Sequence, residues 1–372
     1  MITFKYRLYP NKEQQSKLWL HANKLNKLYN YFLNQRKTAY EKNKQSITKK
    51  QQQAEIVKLK QEDPSLNEIH SQVIQQVTNR LDKTYKAFFK NHKSGQGYPS
   101  FRSCRKFFSI TYPQSGYSIQ GDIFSTKAYG QIKFNQHTSI KGQIKQVTIT
   151  NQNNKWFLCV VTDYVKPKPK TEKMVGIDVG ITNLVATSDD KVIKNKTHCK
   201  YFDKQINNLK SRRDSQCKKG SRKFRHLTKV IQKLYDVKGR KVKDFQHKVS
   251  KNLSLNYDTI VVEDLELKKM SEGNFKGLNK GLRNSSLAQF ISFLSYKTNK
   301  LVKVNPSYTS KTCCLCGKVH DMPLSQRTMN CTCGNKMDRD VNAAKNILCL
   351  GQAIINRLCT EESTLQEALA FR

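Results

Sequence analysis

Residues 306–344 read PSYTSKTCCLCGKVHDMPLSQRTMNCTCGNKMDRDVNAA. Two cysteine pairs, Cys313-x-x-Cys316 and Cys331-x-Cys333, stand fourteen residues apart, and each is followed by a glycine, Gly317 and Gly334. A thiolate pair followed by a residue that turns freely lets the chain fold tightly under a metal, and four thiolates suit tetrahedral zinc with no open position. The reading is one structural Zn²⁺ on Cys313, Cys316, Cys331 and Cys333. The second pair has one intervening residue where two is usual. Cys314 could replace Cys313, and His320 is an alternative ligand. Directly after the second pair, Met337-Asp338-Arg339-Asp340-Val341-Asn342-Ala343-Ala344 opens what reads as a helix, with Asp340 at its start.

Working outward, two more acids end apolar runs. Asp178 lies in Val175-Gly176-Ile177-Asp178-Val179-Gly180, and Glu263 in Thr259-Ile260-Val261-Val262-Glu263-Asp264-Leu265. Carboxylates gathered from distant segments can hold two Mg²⁺ ions about 3.5–4 Å apart and support phosphodiester hydrolysis. Taken singly, an acid at a strand end is ordinarily a turn residue, and one at a helix start a cap. An Asp between apolar strand residues is harder to set aside, because an unpaired buried carboxylate is costly. The stretch Gly176–Asn183 is also similar to the first phosphate-binding turn of actin-like ATPases and sugar kinases. That reading needs a second glycine-rich loop and an adenosine pocket, and neither is legible downstream.

Composition narrows the partners. The 372 residues correspond to roughly two to three domains. Lys plus Arg number 68 against 28 Asp plus Glu, a formal charge of +40, which calls for a polyanion and fits a small-molecule kinase poorly. The 37% hydrophobic share is low for a globular chain, yet Phe 17, Tyr 16 and Trp 2 suffice for packed cores and exclude a disordered basic tail. No apolar run is long enough to span a membrane, and Met1–Arg7 places charge where a signal peptide needs an apolar stretch. The expectation is a cytoplasmic, nucleoid-associated protein in a reducing compartment, where its 11 cysteines need a reason other than disulfides. Five of them fall in 313–333; the other six read as ordinary thiols.

Along the chain, residues 2–10 suit a short strand ended by Pro10. Asn11 with Gln14 resembles a capping box, and the stripe Leu18, Ala22, Leu25, Leu28, Tyr29, Phe32, Leu33 predicts a helix over about 12–43. Residues 44–62 read as a solvated helix or a loop. After Pro64, Ile69, Val73, Val77, Leu81, Tyr85 and Phe88 predict a helix over about 67–92. From about 107 to 165 the text is β-like, as in barrels. Residues 166–173 look like a linker. Residues 174–188 read as strand, turn, strand. Residues 191–250 carry 20 Lys/Arg against 4 Asp and predict one or two amphipathic helices with basic outer faces. A strand at 258–263 and helices near 284–299 and from 340 follow. Tyr98, Phe101, Tyr112 and Tyr117 are candidates for stacking on bases, though most such rings belong to cores.

Together these residues resemble TnpB, the family of RNA-guided nucleases of IS200/IS605-type insertion sequences and an ancestor-like relative of type V CRISPR effectors. The resemblance rests on Phe4–Pro10, Tyr29–Leu33, Gly97–Phe101, the Gly-Ile-Asp and Val-Glu-Asp-Leu strands, Pro306–Cys313, the knuckles and Asp338–Ala344. It implies an α/β plus β fold: an RNase H-like RuvC nuclease domain (169–306 and 334–372) with a zinc-binding insertion (307–333). A β-barrel wedge domain (1–10 and 95–168) precedes it, interrupted by a helical recognition domain (11–94). It implies catalysis by Asp178, Glu263 and Asp340 with two Mg²⁺, and Asp338 as a neighbour at the helix start. It implies a guide RNA from the transposon end and a double-stranded DNA target beside a short flanking motif. Base pairing would supply specificity and the Lys/Arg excess the affinity. The alternatives are a miniature type V CRISPR effector of the same fold, with a CRISPR-like RNA, and a non-cleaving RNA-guided accessory or repressor. The intact acids speak against the latter. The Cys-x-Cys knuckle and the short helical region depart from the family pattern.

Overall fold

The computed structural model describes all residues except 104–107, 166, 169, 196–197, 266–280, 282–284, 324–325 and 371–372, and the backbone alone at 198–199 and 358–370. Cys104, parts of the expected linker (166 and 169) and the expected helix start at 284 therefore lie outside the described residues. The chain divides into two units, Met1–Lys166 and Pro167–Arg372.

The first unit is built on antiparallel strands β1 (Ile2–Leu8), β2 (Ser109–Tyr112), β3 (Ser118–Gln120), β4 (Ile123–Thr126), β5 (Gly130–Asn135), β6 (Ile144–Gln152) and β7 (Lys155–Thr162), in the order β2-β6-β7-β1-β5-β4-β3. Alternation decides the faces: Tyr6 and Leu8 of β1 and Trp156, Leu158 and Val160 of β7 point inward, and Lys5 and Arg7 point out over the Phe157 ring. The opening strand thus lies mid-sheet, with three helices inserted between it and β2. The expected closed barrel is a curled open sheet in its backbone ladders. Among the described residues β2 and β3 are its edges, and Tyr112 of β2 meets Tyr117 and Phe124 through ring packing at 6.0 and 6.4 Å.

The inserted helices are α1 (Lys12–Asn43), α2 (Lys49–Glu62) and α3 (Ser71–Asn91). Asn11 and Gln14 form the reciprocal cap of α1, and the Gln14 amide also donates to the Tyr129 and Gln131 carbonyls, 2.9 Å each. One side chain therefore caps the helix and ties it to β5. The weakly periodic 44–62 segment forms a helix because Thr48 and Gln51 cap it. Its inward contacts are Ile56 and the buried Gln52, which donates to Phe32 O and accepts from Arg36, 2.9 Å each. The stripes of α1 and α3 close on the sheet in one core.

The second unit carries β8 (Met174–Asp178), β9 (Asn183–Thr187), β10 (Val192–Lys194), β11 (Thr259–Glu263) and β12 (Lys300–Val304), in the order β10-β9-β8-β11-β12. β8, β11 and β12 are parallel, and β9 runs against both β8 and β10. Among the described residues its helices are α4 (His198–Gln216), α5 (Arg222–Asn256), α6 (Leu287–Lys297) and α7 (Arg339–Ala370), and a hairpin β13 (Thr328–Asn330) and β14 (Lys336–Asp338) precedes α7. The strands read as continuous apolar runs because both faces are covered. Ile260 and Val262 meet Val249, Leu253, Phe290 and Leu294 of α5 and α6, whereas Val261, Val302 and Val304 meet Ile347 of α7. Among the described residues no helix is long and apolar enough to cross a membrane.

Two glycines set how closely α7 approaches. A Cβ on Gly176 of β8 would lie 2.2 Å from Ala344 O and 2.6 Å from Leu348 N, and one on Gly351 of α7 would lie 2.5 Å from the Val261 side chain. The first clash is with backbone, which cannot swing aside. Gly176→Ala is expected to push α7 off the sheet, costing about 1–3 kcal/mol and lowering the melting temperature by several degrees. Unchanged melting would show that α7 tolerates the displacement.

Candidate active site and metal centre

Asp178 and Glu263 are the last residues of β8 and β11. Val262 pairs with Ile177 in the parallel register, so the acids leave neighbouring strands side by side. Asp340 is the second residue of α7, brought to the same end by the Gly176 contact. The three charges act on one another. The Asp178 carboxyl is pushed up to about 7, first by burial and then by the charges of Glu263 and Asp340, against the opposing pull of Arg339 and the Val179 amide. Burial also raises Glu263, and the hydrogen bond from Thr309 opposes it. Two neutral side chains hold the acids in place. Thr309 Oγ1 donates to Glu263 Oε1, and Asn183 Nδ2 donates to Asp340 Oδ2 at 2.8 Å. Asp338 has a different job. Its Oδ1 accepts from the backbone N of Asp340 at 2.8 Å and of Val341 at 3.3 Å, so it caps α7.

The four thiols Cys313, Cys316, Cys331 and Cys333 converge, with all sulfurs within 4.8 Å of one another. Cys313 and Cys333 are 3.7 Å apart, and Cys316 and Cys331 are 3.5 Å apart. These gaps are far beyond a disulfide bond of about 2.05 Å. They suit a tetrahedral ion with Zn–S bonds of about 2.3 Å, which sets neighbouring sulfurs about 3.8 Å apart. Gly317 and Gly334 sit in the left-handed region at φ 75° and 92°, and their amides close the knuckle turns on Cys313 O and Cys331 O. The Cys333 amide heads the hydrogen bonds that pull the Cys331 thiol down to about 5. Cys314 turns the other way: its sulfur packs on Met337 Sδ at 3.7 Å, and burial raises its thiol. His320 is not among the converging donors.

An amide network welds this centre to α7. Asn335 Nδ2 donates to Cys313 Sγ at 3.2 Å, and Asn342, fully buried, accepts from Cys314 N at 2.9 Å and donates to Thr312 O at 2.7 Å. Asn346, one turn further on, donates to Thr309 O and Thr312 O at 2.8 and 2.7 Å. The buried Arg339 guanidinium reaches Pro323 O at 3.0 Å and Ser310 Oγ at 3.2 Å.

The matches to known proteins follow this layout. Residues 148–274 match the OrfB family of IS605, described as "Probable transposase"; residues 288–347 match the Cas12f1-like TNB domain; residues 1–45 match the helix-turn-helix domain of the same OrfB family. The TnpB-like protein MJ0751 of Methanocaldococcus jannaschii is 31% identical over 218 residues, spanning 55% of this chain and 78% of that protein. The chain belongs to the TnpB family. A protein of Streptomyces pristinaespiralis named "Putative RNA-guided DNA endonuclease" is 29% identical over 365 residues, 94% of this chain and 89% of that one. A solved Cas12f1–sgRNA–target DNA complex is similar at 18% identity and a TM-score of 0.38, covering 93% of this chain and 98% of the other.

In this TnpB chain the helix-turn-helix match falls on β1 and the single unbroken α1, not on two helices about a turn. The TNB match runs from α6 through the knuckles into α7, so it spans Thr309, the four cysteines and Asp340 together. Sequence reading missed Asn183, Thr309, Arg339, Asn342 and Asn346. The available signal was Asn342 and Asn346 at a spacing of four on one helix face, directly after the Asp-Arg-Asp run. Of the aromatic candidates, Tyr112 is core at 2% exposure and Tyr117 packs on the same core, whereas Tyr98 and Phe101 are exposed.

Proposed function

We propose that this chain is an RNA-guided DNA endonuclease that cleaves target DNA beside a short flanking motif, by RuvC-type hydrolysis on Asp178, Glu263 and Asp340. The observation that carries the reading is the convergence of three acids from distant sequence at one end of the sheet, where burial first and then the charges of Glu263 and Asp340 raise the Asp178 carboxyl. A cluster of like charges with too little positive charge near it calls for cations. The strand order, counted by first appearance in the second unit as 3-2-1-4-5 with the second strand reversed, supports the RNase H-like assignment of 169–306 and 334–372. The zinc insertion at 307–333, the wedge domain at 1–10 and 95–168 and the recognition helices at 11–94 complete the proposed organisation.

Asp178, Glu263 and Asp340 would hold two Mg²⁺ ions, and Cys313, Cys316, Cys331 and Cys333 one Zn²⁺. Bound Mg²⁺ supplies Lewis-acid activation of the attacking water and neutralises charge on the leaving 3′ oxygen. The protein's own part is to hold the acids fixed: Asn183 orients Asp340, Thr309 orients Glu263, and the glycine contact keeps α7 against β8. Guide RNA from the transposon end and double-stranded target DNA are the proposed partners. The named relative supports that class of activity, and the basic stretch at 191–250, on α4 and α5, offers phosphate contacts.

The test is to express the gene with its native flanking DNA, wash the purified protein at high salt, and sequence the RNA that remains. One species with a constant body and a tail running into neighbouring DNA is expected, and reprogramming that tail should redirect cutting. A random smear of host RNA would overturn guidance and leave an unguided binding protein.

A further inference from the structure

The acids and the cysteine centre are joined by an unbroken chain of short contacts, several of them made from α7. Glu263 ends β11. Its Oε1 accepts from the hydroxyl of Thr309, which is buried at 4% exposure. That hydroxyl has one proton and a second acceptor within reach, Pro306 O at 3.1 Å, so the backbone position of Thr309 decides which it serves. The backbone is fixed from α7 by Asn346, which holds the carbonyls of Thr309 and Thr312. Asn342 holds Thr312 O and Cys314 N on either side of Cys313, and Asn335 donates to the Cys313 sulfur. Thr309 stands four residues from Cys313, and a turn lies between them, with the amides of Lys311 and Thr312 bonded to Tyr308 O. A shift of Cys313 therefore has little slack before it reaches the Thr309 hydroxyl.

We propose that Thr309 is a positioning residue for the Glu263 carboxylate, and that its placement depends on the metal held by the four cysteines, so that zinc occupancy strengthens divalent-cation binding at the acids. The inference rests on the cation site proposed above. Linkage makes the effect reciprocal: whatever zinc adds to cation affinity, the cation adds to zinc affinity.

The experiment measures Mn²⁺ binding by the electron paramagnetic resonance signal of free Mn²⁺, alongside zinc content and the Mg²⁺ dependence of cleavage, in the full chain. Thr309→Val removes the hydroxyl at nearly constant shape. It is expected to weaken Mn²⁺ binding about tenfold, to raise half-saturating Mg²⁺ by a similar factor, and to leave zinc content at one per chain. Thr309→Ser should restore both values. Stripping zinc from the unsubstituted protein should weaken Mn²⁺ binding by a comparable factor, and stripping it from Thr309→Val should add little. The unsubstituted arm decides the coupling even if Thr309→Val does not fold. Unchanged Mn²⁺ affinity on zinc removal or in Thr309→Val, with binding lost in Asp178→Ala, overturns this inference alone. Mn²⁺ binding and cleavage that survive in Asp178→Ala overturn the cation site itself.

Discussion

Asp178→Ala is expected to reduce cleavage of a guide-matched DNA by at least about a thousandfold while leaving RNA and DNA binding within about twofold. The size follows from what a shared metal ligand supports. Losing about 4 kcal/mol of charge stabilisation in the transition state is three factors of ten. The binding surface is spread over many lysines and arginines, so one acid contributes little to it. A cleavage assay paired with filter binding separates the two, and retained cutting would remove Asp178 from the mechanism. The same residue predicts a pH effect. Its folded carboxyl titrates near 7 against an ordinary value of 3.8, so the stability it contributes is full below the ordinary value and is lost as pH climbs through about 7. Cation-free protein should therefore melt at lower temperature at pH 8 than at pH 5. Mg²⁺ should narrow the difference, and Asp178→Asn should flatten it.

Cys331→Ser should lose the zinc outright, falling from one ion per chain to none by elemental analysis. Little apolar packing holds the segment. Among the described residues between the first knuckle and α7, the buried apolar ones are Met322 and Met329, too few to fold a hairpin unaided. Structural zinc in isolated fingers supplies about 10–16 kcal/mol of apparent binding energy. Its loss should make residues 311–338 cleavable by protease while the sheet of the second unit stays resistant. Because Arg339, Asn342 and Asn346 grip this segment, cutting should fall about tenfold or more. Full zinc content in the purified variant would show that Cys331 is not a ligand.

Much of this architecture was legible in the residues. The α1 stripe and the Asn11–Gln14 cap marked that helix to within a residue, because capping chemistry is local. The knuckle glycines announced their left-handed turns for the same reason. What stayed hidden depended on distant chain. The 44–62 segment looked undecided because one of its two buried contacts is a glutamine, Gln52, which no hydrophobic pattern registers. The barrel reading failed at closure, because whether two edge strands pair depends on what lies between them, and here Tyr112, Tyr117 and Phe124 fill the space. Thr309 and Asn346 were invisible because a single hydroxyl and a single amide gain meaning only once β11 and α7 bring their targets near.

The seat of α7 on Gly176 also orders events in time. Strands β8 and β11 are made before α7, but their acids meet Asp340 only after about 90 further residues have followed Glu263 and α7 has emerged far enough to lie down on the glycine. At about 5–20 residues per second, that is an interval of several seconds to nearly twenty in which the nascent chain holds two acids without the third. Throughout that interval the proposed cation site is incomplete. Of the elements that carry the three acids, α7 is the one whose arrival brings them together.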